Sequence, residues 1–116
     1  MALVKHSDVK PTQGTPGIEA RHLASKEAGA ASSGAYEVVL QPGAVVPRHY
    51  HDVDSVIVFL EGTFEASQGD NKWIVGPGYT LVSGPGVVHG LRNAGSTVAR
   101  MLTFHPALEH RTIPEE

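Results

Sequence analysis

Cysteine is absent from this 116-residue chain. Its absence excludes disulfides, thiolate metal ligands and nucleophilic thiol chemistry together. Positive charge is not in excess: nine Lys and Arg stand against twelve Asp and Glu, a net charge of −3. Nothing therefore argues for a nucleic acid or an anionic membrane as partner. No uninterrupted apolar run approaches the ~18 residues that a membrane-spanning helix needs. The opening Met1-Ala2-Leu3-Val4-Lys5-His6 lacks the apolar core of a signal peptide, so a cytoplasmic protein is expected. Internal repeats and low-complexity tracts are missing as well, and the length suits a single domain with one core.

Thirteen glycines and eight prolines punctuate the chain. Residues 1–17 are polar and carry Pro11, Gly14, Pro16 and Gly17, which predicts an irregular N-terminal arm. Ile18 to Leu23 reads as a short strand. Lys26 to Ala31 holds helix formers, but Gly29 and Ser32-Ser33-Gly34 argue against a long helix. Tyr36 to Leu40 is β-rich and ends at the turn Gln41-Pro42-Gly43. A histidine-bearing strand follows, then a hairpin of Thr63–Ser67 and Lys72–Val75 around Gln68–Asn71. Tyr79–Val82 and Thr97–Phe104 are further strands, the last stopped by Pro106, and Pro114–Glu116 reads as a solvated tail. Short strands at such spacing predict an all-β sandwich or barrel with its core over 36–104.

Two stretches carry chemistry. In Gly43-Ala-Val-Val-Pro-Arg-His49-Tyr-His51 the histidines are two apart, so in an extended strand both rings point to one face. Imidazole is the commonest nitrogen ligand for metals. Ser55, Ile57 and Phe59 share that parity, and the face is expected to run from polar to apolar along one strand. In Gly78-Tyr-Thr-Leu-Val-Ser-Gly84-Pro85-Gly86-Val-Val-His89, a Gly/Pro turn delivers the chain into a strand beginning near His89.

Together these stretches resemble the two motifs of the cupin superfamily, G-x5-H-x-H-x3-4-E-x6-G and G-x5-P-x-G-x2-H-x3-N. The first fits at Gly43, His49, His51 and Gly62, the second at Gly78, Gly86, His89 and Asn93. The resemblance implies a small single-domain jelly-roll β-barrel whose second motif adds His89 to the metal-binding face. There are two departures: the motif-one Glu falls on Ser55, and the motif-two Pro falls on Gly84, with Pro85 one place later.

The expected first shell is therefore His49, His51 and His89 around one divalent transition metal, Fe by preference, with Zn, Ni, Mn and Cu as alternatives. Ser55 replaces a carboxylate with a hydroxyl that stays neutral, and Asp54 has the opposite strand parity. Ser55, Ile57, Phe59, Met101 and His105 are candidate pocket-lining residues. Met101, Thr103 and His105 share one parity of the last strand, and Arg100, Leu102 and Phe104 the other; Arg100 is expected outward. His6, His22 and His110 read as structural or surface residues, and the motif glycines as turn residues with φ > 0.

A dipositive ion on three neutral histidines favours an anionic, bidentate oxygen ligand such as an enolate, a 2-oxo carboxylate or a diketonate. Resemblance to three-histidine cupins implies an Fe(II) oxygenase-type enzyme acting on such a molecule. The alternatives are a Zn- or Ni-dependent isomerase or cyclase, and a non-catalytic metal- or ligand-binding sensor, because no general base is evident apart from the metal ligands. A homodimer is expected, since partner strands can cover sheet edges.

Overall fold

The computed structural model describes residues 3–108 and 110–115. Ten strands follow a short 3-10 turn, His6–Asp8: β1 Ile18–Ala24, β2 Gly34–Leu40, β3 Val45–His51, β4 Ser55–Glu61, β5 Phe64–Gln68, β6 Asn71–Val75, β7 Thr80–Ser83, β8 His89–Asn93, β9 Ala99–His105 and β10 Thr112–Pro114. They form two five-stranded antiparallel sheets, ordered β1-β2-β9-β4-β7 and β10-β3-β8-β5-β6. This is the expected all-β jelly-roll barrel.

Alternation along the strands decides the core. Val38, Leu40, Ile57, Phe59, Leu81, Ala99 and Met101 come from the first sheet, and Phe64, Ala66 and Leu91 from the second; all are buried. Met101 and Thr103 are buried while Phe104 is 39% exposed, so the odd-numbered face of β9 turns inward. Arg100 points outward and pairs with Glu37 at 2.9 Å.

The single histidine-bearing strand read from the sequence is corrected to two. Chain pairing stops at His51 and resumes at Ser55, with β3 in one sheet and β4 in the other. The intervening Asp52 and Asp54 are exposed, and the Asp52 carboxylate accepts the Arg111 backbone N–H at 2.8 Å. Charged side chains that cannot enter the core thus mark the crossing. Inward parity survives it, so His49 and His51 face Ser55 and Ile57 across the barrel instead of following them along one strand.

The C-terminal tail is exposed at Pro114 and Glu115, as expected, but it is also paired. Thr112–Pro114 pair with His51, Tyr50 and His49 of β3, and Glu115 meets Arg48 at 2.8 Å; Glu116 lies outside the described residues. Three residues ending in Pro look too short for a strand, but an open sheet edge recruits them. Ser25–Ala28 is a tight turn held by Ala28 N–H to Ser25 O at 3.1 Å, with no helix.

Two glycines have steric reasons. At Gly62 (φ +87) a Cβ would lie 2.8 Å from the Ala99 Cβ, so the β4–β5 turn packs directly on β9. At Gly90 a Cβ would meet Arg48 Cγ at 2.9 Å and the Val46 carbonyl oxygen at 3.2 Å. This is where β3 bulges between Val46 and His49. Gly90→Ala is expected to destabilise the barrel by about 1–3 kcal/mol by forcing β3 away from β8. Urea denaturation checks this; an unchanged midpoint would show that the two strands are not in close contact there.

Candidate metal centre

The bulge and two turns bring three imidazoles together. His49 and His51 lie on β3 and His89 opens β8, paired directly with His49. The turn before His89 explains the displaced proline. Pro85 and Gly86 (φ +80) occupy the central positions of a turn closed by Val87 N–H to Gly84 O at 3.1 Å. Pro suits the first of these positions and Gly the second in a type II turn. The Gly86 N–H also ties this turn to the His51 carbonyl at 2.9 Å.

Each ring is oriented by a backbone carbonyl. Nδ1 of His49 donates to Pro47 O at 2.7 Å, Nδ1 of His89 to Val87 O at 3.0 Å and Nδ1 of His51 to Arg111 O at 3.2 Å. A carbonyl only accepts, so Nδ1 carries the proton and Nε2 is left free to ligate. His49 Nε2 and His51 Nε2 stand 3.2 Å apart, and one ligand atom from each of the three rings lies within 4.8 Å of the others. Two nitrogens bound to one ion at 2.0–2.1 Å are separated by about 2.9 Å at a right angle and about 3.3 Å at a tetrahedral angle.

Two facing lone pairs at this distance need a cation between them, either a proton or a metal. Burial argues against the proton. It pushes His51 down to about 4, helped by the neighbouring His49 and His105, and it also lowers His89. The donor set therefore fits a divalent transition metal. Ser55 occupies the position of the family's carboxylate, and its hydroxyl is buried without a hydrogen-bond partner among the described residues. Asp54 is exposed and turned away, as its parity indicates.

A cavity of about 190 Å³ adjoins the three histidines, lined by Tyr36, Ser55, Ile57, Met101 and Thr103 among others. Phe59 lies deeper, in the core, against Phe64 at 4.8 Å between ring centroids. His105 is fully buried behind the cavity wall. Its Nδ1 donates to Asp54 O at 3.0 Å, which leaves Nε2 to accept from the Tyr36 hydroxyl at 2.8 Å. Burial raises the Tyr36 hydroxyl to about 12. Tyr36 and His105 also border a larger cavity of about 710 Å³ with His22 and His110.

His110, read from the sequence as a structural or surface residue, is half-buried beside the site. Its ring stacks on His105 with centroids 4.0 Å apart and lies 5.0 Å from His51; burial lowers its pKa. A second group of three, His51, His105 and His110, also has the spacing of metal ligands. Strand pairing of β10 with β3, which no local pattern announces, brings His110 there. From the sequence Tyr36 belongs to a β-rich strand of an apolar wall; the partner of its hydroxyl, His105, lies 69 residues away and has no local signature.

The fold and the histidine set define a jelly-roll barrel with a group of histidines that could hold a divalent metal. Residues 36–105 match the cupin domain model, more than half of the chain, and the protein belongs to the cupin family. No curated protein matches the sequence. Among solved structures, the polyketide cyclase RemF from Streptomyces resistomycificus is 25% identical with a TM-score of 0.86, over 100% of this chain and 86% of that one. A predicted oxalate decarboxylase from Thermotoga maritima is 23% identical, with a TM-score of 0.81, over 91% and 99%. KdgF from Halomonas sp. is 22% identical, with a TM-score of 0.76, over 88% and 92%.

Substituting any of His49, His51 or His89 with Ala is expected to lower metal content sharply without unfolding the barrel, whose apolar core stands apart from the site. His105→Ala and Ser55→Ala should retain metal. Ser55→Glu should tighten metal binding, because a carboxylate then meets a dipositive ion with little intervening water. Elemental analysis of the purified variants measures all of these. Metal loss in Ser55→Ala would make the hydroxyl a ligand and end the three-histidine assignment.

Proposed function

We propose that this protein is a metal-dependent enzyme acting on a small, enolisable molecule that binds the ion through two oxygens. The observation that carries this reading is the convergence of the His49, His51 and His89 donors with no carboxylate among them. A neutral ligand set leaves a divalent ion its full charge and open positions, which favours an anionic chelate. When bound, the ion would act as a Lewis acid, lowering the pKa of a carbon or oxygen acid coordinated to it.

The chain's own residues supply the rest. Tyr36 lines the pocket and its hydroxyl is hydrogen-bonded to His105, which would take the phenolic proton as Tyr36 receives one from the ligand. That pair is the general acid–base group missing from the sequence reading. Ile57 and Met101 exclude water from the wall. The likeness to a polyketide cyclase favours this Lewis-acid branch over the Fe(II) oxygenase branch expected from the sequence, which the same histidine set also suits.

The two branches separate in one experiment. Protein stripped of metal and reloaded with Zn(II), Ni(II) or Fe(II) is given pyruvate in heavy water, and, in parallel, 1,3-diketones under an oxygen electrode. Metal-dependent exchange of the pyruvate methyl protons, reduced about 100-fold or more in Tyr36→Phe with metal content retained, is the expected result. Oxygen uptake without exchange would shift the assignment to an oxygenase. Neither response would leave a binding protein.

A homodimer is part of this proposal. Trp73 and Ile74 on edge strand β6, and Tyr79 and Val82 at edge strand β7, are 43%, 64%, 60% and 61% exposed. They adjoin one cavity of about 450 Å³, and a second copy would cover both edges at once. Sedimentation should show a dimer for the native chain and a monomer for Ile74→Asp. A native monomer would remove this part.

A further inference from the structure

We propose that Ser55 and Thr103 form a ligand subsite on the wall facing the three histidines, donating hydrogen bonds to a third oxygen of a molecule whose other two oxygens chelate the metal. The inference rests on the reading above and narrows its substrate class to β-polycarbonyl or hydroxylated 1,3-dicarbonyl compounds.

Both side chains line the cavity that holds His49, His51 and His89. Ser55 is 1% exposed and Thr103 4%. Neither hydroxyl has a hydrogen-bond partner among the described residues. The other buried serine hydroxyls and the Tyr36 phenol are paired: Ser67 with Gly90 O at 3.4 Å, Ser83 with Gln68 Nε2 at 2.9 Å and Tyr36 with His105 at 2.8 Å. Folded interiors rarely leave such groups unpaired, and two in one cavity point to a partner that arrives from outside.

The two residues are placed to act together. β4 and β9 are neighbours with Ile57 opposite Thr103, so Ser55 is the diagonal neighbour of Thr103 on the same face. Ile57, Met101, Val38 and Leu91 supply apolar wall around them. A ligand with its chelating pair at the histidines and carbon against these side chains would bring its next oxygen to the hydroxyls. Nothing about strand formation demands a hydroxyl at position 103, since Val has the same branched shape and an equal preference for strands.

This separation of binding from folding supplies the test. Zn(II)-loaded native protein, Ser55→Ala and Thr103→Val are titrated with 2,4-pentanedione, which has only the chelating pair, and with 2,4,6-heptanetrione, which adds a third oxygen. Dividing the two affinities within each protein cancels the intrinsic preference of the metal. Each substitution should lower the trione-to-dione ratio about 2- to 12-fold, the span of one hydrogen bond, with dione affinity and metal content unchanged. Metal-free Thr103→Val should melt at a higher temperature than the native chain, because it no longer buries an unpaired hydroxyl. An unchanged ratio in both variants, or a lower melting temperature for metal-free Thr103→Val, overturns the subsite. Failure of the loaded native protein to bind even the dione overturns the parent reading instead.

Discussion

The site depends on three backbone carbonyls. Pro47, Val87 and Arg111 each accept the Nδ1 proton of one histidine, and that assignment leaves three Nε2 atoms free to meet at one ion. Each carbonyl comes from an interruption of regular pairing: the β3 bulge, the turn before β8, and the segment before β10. In an unbroken ladder those carbonyls would be engaged by a neighbouring strand. The irregularities of this barrel are therefore what orients the three histidines, and Gly90 is required because the bulge presses Arg48 and Val46 against β8.

Charge is kept outside. The ion pairs Arg48–Glu115, Arg92–Glu65 and Arg100–Glu37 lie on the outer faces with partly exposed side chains, where such pairs contribute little stability. Inside, the polar groups around the cavity are imidazoles, hydroxyls and a phenol, and burial lowers the pKa of both His51 and His89, which disfavours their charged forms. A site built this way takes its charge balance from what it binds.

Fold likeness alone does not select a reaction. The solved structures that resemble this chain include a polyketide cyclase, a predicted oxalate decarboxylase and a sugar phosphate isomerase. One barrel hosts these different functions because the chemistry resides in a few side chains at its mouth. Here those side chains are three histidines with Ser55 in place of a carboxylate, Thr103 beside it, and Tyr36 tied to His105. Ser55, Thr103, Tyr36 and His105 all come from the sheet that holds none of the three histidines, so the two groups face each other across the barrel.

Local pattern was sufficient for much of this. Period-2 alternation marked the strands, Gly and Pro marked their ends, the two-residue spacing of His49 and His51 put both on one face, and the resemblance of the second motif added His89 to it. These are properties of short segments, fixed by backbone geometry and by the few residues that tolerate tight turns. Other features had no local signature. The crossing at Asp52–Asp54 looks like a continuing strand until the two halves join different sheets. β10 exists only because the edge of β3 is open to it, and with it come the Arg111 carbonyl and His110. The sequence favoured Arg100 outward on β9 without fixing it, and packing against β2 and β4 put Met101, Thr103 and His105 inside. The sequence determined which residues could ligate and where the strands run. The tertiary structure decided which distant residues meet them, because long-range pairing is set by which edges and faces remain to be covered after the local segments have formed.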